Sequence, residues 1–63
     1  MKEHEQKAKE IGERSITEGL DSATVMLLLQ RLSDETNYKF EPEIRAAFTQ
    51  GLAAATAERK GNV

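Results

Sequence analysis

The sequence predicts a mainly α protein with two to three short helices and one short extended segment, assembled as a homodimer. Apolar residues recur at spacings of three and four through most of the chain, as in amphipathic helices. With 63 residues the chain cannot enclose a large core, since folding at this size buries only about 60% of the unfolded surface. There is no cysteine, so neither a disulfide nor a thiolate zinc site can add stability. Self-association is therefore the best remaining way to stabilise so small a chain.

The first helix is predicted from Lys2 to Glu18. Its apolar stripe is narrow and consists of Ala8, Ile11, Ser15 or Ile16, and Leu20. Gly12 inside this helix costs about 1 kcal/mol relative to alanine. Gly19 suits the left-handed position that commonly ends a helix, so the first helix should stop there.

The second helix, from about Ala23 to Ser33, is the most apolar part of the chain. Asp21 or Ser22 can cap it by accepting a hydrogen bond from a free backbone N–H of the first turn. The main stripe is wider than one neighbouring helix can cover: Val25, Leu28, Leu29 and Leu32 form it, and Met26 and Leu27 extend it around the helix. This excess predicts a second contact surface, either for the same helix of another subunit or for a different protein.

An extended segment is predicted at residues 36–41, where Tyr38 and Phe40 alternate with a lysine just before Pro42. A lone strand would leave backbone donors and acceptors unpaired. The segment is therefore expected either to pair with its own copy as an intermolecular strand, or to be an extended loop that packs its two rings.

The third helix is predicted to begin at Pro42, with Glu41 and Glu43 beside the positive end of its dipole. Its stripe has a clear helical period: Ile44, Ala47, Phe48, Gly51 or Leu52, and Ala55. Gly61 should end it. The whole chain, 1–63, is interpreted as one helical dimerisation and interaction domain whose ends, 1–6 and 60–63, fray.

Candidate chemical groups are few. Glu41 and Glu43 are the nearest pair of carboxylates, but at a helix start their ordinary role is to stabilise the dipole. The single histidine, His4, lies among charged residues and is expected to be a solvated side chain, because a metal site would need several converging donors. No catalytic residue, cofactor or metal site is predicted, and the protein is not expected to be an enzyme.

Charge and motif spacing also bear on the partners. Nine basic and eleven acidic residues give a net charge of -2, which does not favour nucleic acid. As a helix-turn-helix the chain would have a connection longer than the usual 3 or 4 residues. A charged start and the lack of an apolar stretch near ~20 residues predict a cytoplasmic protein without a membrane partner. A small DNA-binding regulator and a structural assembly subunit remain the alternatives.

The candidate dimer interface or partner cleft comprises Val25, Met26, Leu28, Leu29, Leu32, Tyr38, Phe40 and Phe48. In one interpretation these residues are core plus dimer interface. In the other, Met26, Leu29 and Phe48 line a groove that receives an amphipathic helix from another protein. Methionine adapts to partners of different shape, which slightly favours the groove. The two interpretations are compatible, because a dimer can bury one side of the second helix and leave a cleft on another.

The segments DSATVMLLL (21–29) and NYKFEPE (37–43), between a charged first helix and an alanine-rich last one, resemble a family of small early-region proteins of lambdoid temperate phages. These proteins are encoded between the exonuclease and excisionase genes of phage lambda and related Shiga-toxin phages. The resemblance implies a non-enzymatic protein, made early in the bacterial host, that favours lytic development over lysogeny and reduces host survival. It also implies a helical homodimer with a short strand, and it brings no catalytic residues.

Overall fold

Short-range sequence signals set the ends of the helices in the computed structural model, which describes residues 3–61. These residues form α1 (Glu3–Thr17), α2 (Ser22–Glu35) and α3 (Glu41–Gly61). The prediction of a mainly helical fold is confirmed, and each predicted helix end lies within about two residues of the observed one. The expected fraying of 1–6 and 60–63 stays a prediction, and residues 1–2 and 62–63 lie outside the described part of the chain.

Two predicted capping features separate α1 from α2. Gly19 has φ = 65°, a left-handed conformation that costs glycine little. Asp21 precedes α2 and its carboxylate accepts a hydrogen bond from the Thr24 backbone N–H at 3.0 Å. The side chain thereby satisfies one of the N–H groups that have no partner inside the helix.

Two glycines bring the backbones of α1 and α3 into direct contact. A Cβ atom built on Gly51 would overlap the Lys9 carbonyl oxygen and lie 3.0 Å from its carbonyl carbon. A Cβ atom on Gly12 would overlap the Phe48 carbonyl oxygen and lie 3.2 Å from the Gly51 Cα atom. Gly12 therefore lowers the helix propensity of α1 but permits its closest packing contact.

The helices alternate in direction. The ring of His4, near the start of α1, stacks on that of Phe40, just before α3, with centroids 4.2 Å apart and planes 15° from parallel. The glycine contact lies further along both helices, so α1 and α3 run parallel. Lys7 of α1 lies 3.7 Å from the Glu35 carboxylate at the end of α2, so α2 runs antiparallel to α1.

The environment of His4 differs from the solvated one predicted. Its side chain is half-buried against Phe40, and its Nε2 atom is buried without a hydrogen-bond partner. The charged residues around His4 in the sequence suggested solvent, whereas its ring partner is 36 positions away in the chain. Local composition therefore could not indicate this contact.

The core is small. Its buried cluster consists of Ala8, Leu32, Ile44 and Ala47, and Ile11, Leu29, Phe40 and Phe48 pack partly against it. Two of the four buried members are alanines, which contribute little apolar area. Among the described residues, Ile44 is the largest fully buried side chain. Full burial of such a side chain contributes about 1.5–3 kcal/mol, so the protomer has few contributions of this size.

The molecule is open and flat, with dimensions of 40 × 26 × 14 Å. The principal helix contact is between α1 and α3, while α2 and α3 barely contact each other. A compact protein of 7.0 kDa exposes about 4,000 Å², and this chain exposes 4692 Å². The broad faces consequently leave half-buried apolar side chains at the surface.

The prediction of an extended segment at 36–41 is wrong, because residues 36–40 form a turn and Glu41 begins α3. The N–H groups of Thr36 and Tyr38 donate to the Ser33 carbonyl oxygen at 3.2 and 2.9 Å. Asn37 and Tyr38 adopt φ values of 56° and 60°. The turn satisfies terminal carbonyls of α2 that an extended chain would leave unpaired.

Candidate functional site

Three large apolar side chains are exposed among the described residues and define what we call the apolar patch. Met26 is 70% exposed, Leu27 57% and Tyr38 52%. On α2, Met26 and Leu27 lie about 120–140° around the helix from the buried Leu32, so a helix that packs one side into the core must present them outward. Exposed apolar groups of this kind are typical of surfaces that contact other macromolecules.

Part of the apolar patch borders a groove between α2 and the start of α3, which we call the α2–α3 groove. Its volume is about 330 Å³, and it is lined by Met26, Leu29, Gln30, Ser33, Tyr38, Glu41, Ile44 and Arg45. The buried Ile44 and the half-buried Leu29 provide apolar surface. Glu41 and Arg45 form an exposed ion pair at 3.6 Å on the α3 side. The groove is thus apolar, with charges at one border.

Tyr38 is held in place at this groove. Its hydroxyl donates a hydrogen bond to the Asp34 carboxylate at 2.7 Å, and this bond to the neutral phenol, with the nearby negative charge, raises the pKa of Tyr38. A left-handed φ of 60° is rare for a bulky aromatic residue. The backbone and the hydroxyl therefore fix an exposed aromatic ring of the type that contributes most in protein interfaces.

The groove between α1 and α2 is charged instead. Its volume is about 440 Å³, and its lining is Lys7, Glu10, Ile11, Arg14, Leu28, Arg31, Leu32 and Glu35. Lys7 and Glu35 pair across it at 3.7 Å. At its far end Arg14 binds Glu18 at 2.9 Å, an interaction that raises the pKa of Arg14 and lowers that of Glu18. Ile11, Leu28 and Leu32 give this groove apolar surface, but five of its eight lining residues are charged, so a partner would meet charges on both helices.

A third groove, between α1 and α3, is acidic. It has a volume of about 540 Å³ and includes Glu5, Lys9, Glu10, Glu13 and Glu43 among its lining residues. Within residues 3–61 no group of three or more histidine, aspartate and glutamate side chains is arranged to hold a metal ion. The chemistry of this groove is that of a solvated, negatively charged surface.

The structure places the eight predicted interface residues in four different surroundings. Met26, Leu29 and Tyr38 come together at the α2–α3 groove, and Leu28 lines the charged groove. Leu32 belongs to the buried core, Phe40 and Phe48 pack against it, and Val25 is half-buried. Of these eight, Met26 and Tyr38 are the ones that stand out as exposed.

Sequence reasoning left Leu27 out of the candidate interface, although it was recognised as widening the stripe of α2. Its exposure of 57% makes it part of the apolar patch. The available signal was its position on the helix, about 140° from Leu32, where a large apolar residue has no role in the protomer core. Polar members of the groove lining, such as Gln30 and Arg45, gave no such signal.

Comparison with protein-family models, curated proteins and solved structures finds no match for this chain. Among the described residues, no helix combines the length and the apolar character needed to cross a membrane. The class defined by fold and surface is therefore an open, mainly helical protein with an exposed apolar patch beside a small groove.

Proposed function

We propose that the protein is a non-enzymatic interaction protein that forms a homodimer through the apolar patch and acts by contact with another protein. The observation that supports this proposal is the exposure of Met26, Leu27 and Tyr38, of which Met26 and Tyr38 line the α2–α3 groove. Single exposed apolar residues are ordinary, but a group of three in a chain of 63 residues is large relative to its surface.

A comparison of the free energy gained by burying the apolar patch with the cost of association favours an interface that is centred on this patch and extends beyond it. Burying the exposed parts of Met26 and Leu27 in both copies would contribute on the order of 5 kcal/mol. Association costs an estimated 4–15 kcal/mol in lost translational and rotational freedom. The flat face of 40 × 26 Å has a projected area of roughly 1,000 Å², which accommodates the ~800 Å² per partner of a standard interface.

The sequence resemblance supports a regulatory setting for this activity. We infer an early phage protein that promotes lytic development by binding a host or phage factor in the cytoplasm of the bacterial host. In such a protein the dimer would be the active form, and residual apolar surface would contact the factor. The resemblance depends on the segments 21–29 and 37–43, which contain all three members of the apolar patch.

The charge arrangement does not favour a nucleic-acid partner. Lys7, Arg14 and Arg45 each lie within 4 Å of a carboxylate, at 3.7, 2.9 and 3.6 Å respectively. Cations that are already paired within the protein release fewer counterions when they meet a phosphate backbone. A protein partner therefore agrees better with this surface than DNA does.

The molar mass in solution, measured by light scattering over a wide concentration range, tests the dimer. We expect a dimer for the natural sequence and a monomer of unchanged helicity for the double variant Met26→Ser with Leu27→Ser, because both side chains are exposed. The control is Ala54→Ser, an exposed position on α3. A monomer at every concentration, or a double variant that still dimerises, would contradict the proposal.

The regulatory setting needs a separate assay. Expression of the natural chain in a lysogenic host is expected to raise the phage yield after induction, whereas the double variant at equal abundance should not. A mobility shift with duplex DNA that weakens with salt would instead indicate the DNA-binding alternative. Equal phage yields with and without the protein would refute the lytic role. The homodimer is tested independently by the molar mass in solution.

A further inference from the structure

We propose that Tyr38 is the anchoring side chain of the homodimer, and that the protomer displays its ring in a backbone conformation that lowers the stability of the protomer itself. This inference rests on the proposed homodimer and names the residue on which the affinity between the two copies depends. The partner of the ring is a second copy of this chain. Stability of the protomer and strength of association are therefore opposed at this one position.

The end of α2 explains one left-handed residue, whereas the turn after it contains two. The N–H of Asn37 donates to the Asp34 carbonyl oxygen at 3.1 Å, and that of Tyr38 donates to the Ser33 carbonyl oxygen at 2.9 Å. These two bonds form a Schellman motif, which needs a left-handed residue only at the first position after the C-cap. Asn37, with φ = 56°, occupies that position, and asparagine tolerates this conformation. The φ of 60° at Tyr38 is not required by the helix end.

Within the protomer, the contacts of Tyr38 do not explain this conformation. A left-handed backbone lowers the folding equilibrium constant about five- to thirtyfold for an ordinary residue. In return, the hydroxyl donates one hydrogen bond to the Asp34 carboxylate at 2.7 Å, and water competes for this bond because both side chains are exposed. In the described part of the chain, the ring belongs neither to the buried core cluster nor to the side chains packed against it. The ring therefore brings the protomer no net gain in stability.

The same conformation gives the ring the properties of an interface anchor. Backbone strain of this kind clusters where a fold holds a side chain ready for a partner. The Tyr38 side chain is held at both ends, by the backbone N–H at Ser33 and by the hydroxyl at Asp34. An aromatic ring that is already fixed loses little freedom on association, and fixed aromatic side chains contribute most of the affinity in many interfaces. Association can thus offset a cost that the protomer alone does not.

The charges around Tyr38 suit a second copy as the partner. In a two-fold pair, each surface meets a copy of itself, so a surface of one sign would repel its partner. The surroundings of Tyr38 contain both signs, because Arg45 lies 3.6 Å from Glu41 on one side and Asp34 binds the hydroxyl on the other. The guanidinium of one copy can therefore approach a carboxylate of the other, and this surface is able to associate with itself.

The test is Tyr38→Asn, because asparagine tolerates the left-handed conformation but has no ring. Light scattering over a range of concentrations gives the dimer dissociation constant, which should rise about thirtyfold, as expected for an interface anchor. Stability is compared in the double variant Met26→Ser with Leu27→Ser, so that dissociation does not contribute. There, the urea midpoint should stay equal or rise when Tyr38→Asn is added. The control Asn37→Gly retains the ring and the left-handed turn and should leave the dissociation constant unchanged.

The outcomes separate this inference from the proposed function. A Tyr38→Asn protein that dimerises as tightly as the natural chain would overturn the anchoring role and leave the homodimer intact. A lower urea midpoint in the double variant would also overturn the inference, because the ring would then stabilise the protomer itself. A natural chain that is monomeric at every concentration would overturn the homodimer and the anchoring role together. Circular dichroism of each variant establishes that it is folded before the comparison is made.

Discussion

Replacing Gly51 with alanine is expected to destabilise the protein, although alanine is the better helix former by about 1 kcal/mol. The reason is the backbone contact between α1 and α3, where a Cβ atom on residue 51 would overlap the Lys9 carbonyl oxygen. The obstacle is backbone, so no rotamer change can relieve it and the two helices must separate. Overpacking of this kind costs about 1–3 kcal/mol, and separating the helices also exposes Ile44 and Ala47.

Urea denaturation followed by circular dichroism at one fixed protein concentration measures this effect. We expect a net loss of up to about 2 kcal/mol in the free energy of unfolding for Gly51→Ala once the gain in helix propensity is subtracted. The matched control is Ala54→Gly, an exposed position of the same helix, which should lose about 1 kcal/mol from propensity alone. A Gly51→Ala protein more stable than the natural one would refute the backbone contact.

Three other changes test the cap, the core and the turn. Asp21→Ala should lower the melting temperature, whereas Asp21→Asn, which keeps an acceptor oxygen, should not. Hydrogen bonding to Thr24 lowers the pKa of Asp21 below its ordinary 3.8. The stability that the cap contributes is therefore present above about pH 4 and is lost as the pH falls through the lowered pKa. Because Leu29 packs on the core, Leu29→Asp should lower the free energy of unfolding by more than about 2 kcal/mol and abolish dimerisation. Circular dichroism and molar mass measure the two effects, and unchanged values would contradict this prediction. The single tyrosine, followed by its ultraviolet absorbance, should titrate above pH 10.0 in the folded protein, and Asp34→Asn should bring that midpoint down, whereas equal midpoints would exclude the hydrogen bond.

The helices were predictable because their ends depend on residues close in sequence. Gly19, Asp21 and Pro42 act through backbone conformation and local hydrogen bonds, which a sequence displays directly. The turn at 36–40 was not predicted, because its hydrogen bonds depend on the exact end of α2 and not on the residues of the turn alone. Alternating rings resemble a strand, but the N–H groups there are taken up by the last carbonyls of α2, and that choice depends on where the preceding helix stops.

The candidate site was predictable in composition and not in arrangement. The apolar excess of α2 indicated a contact surface, and Met26 and Tyr38 are exposed as a contact surface requires. Which side chains the protomer would bury depended on where α1 and α3 pack. Leu32 therefore entered the core, and Leu27 was left outside, through contacts between helices that are distant in sequence.

The pairing of α1 with α3 also governs how the chain acquires its structure during synthesis. The principal neighbour of α1 is α3, which is synthesised after it, so the main stabilising contact of α1 does not exist until residues near Gly51 have been translated. Contacts between such distant segments also slow folding relative to helical proteins with local contacts. The nascent chain must therefore remain largely unfolded, with its apolar α2 segment accessible to chaperones, until α3 has been synthesised.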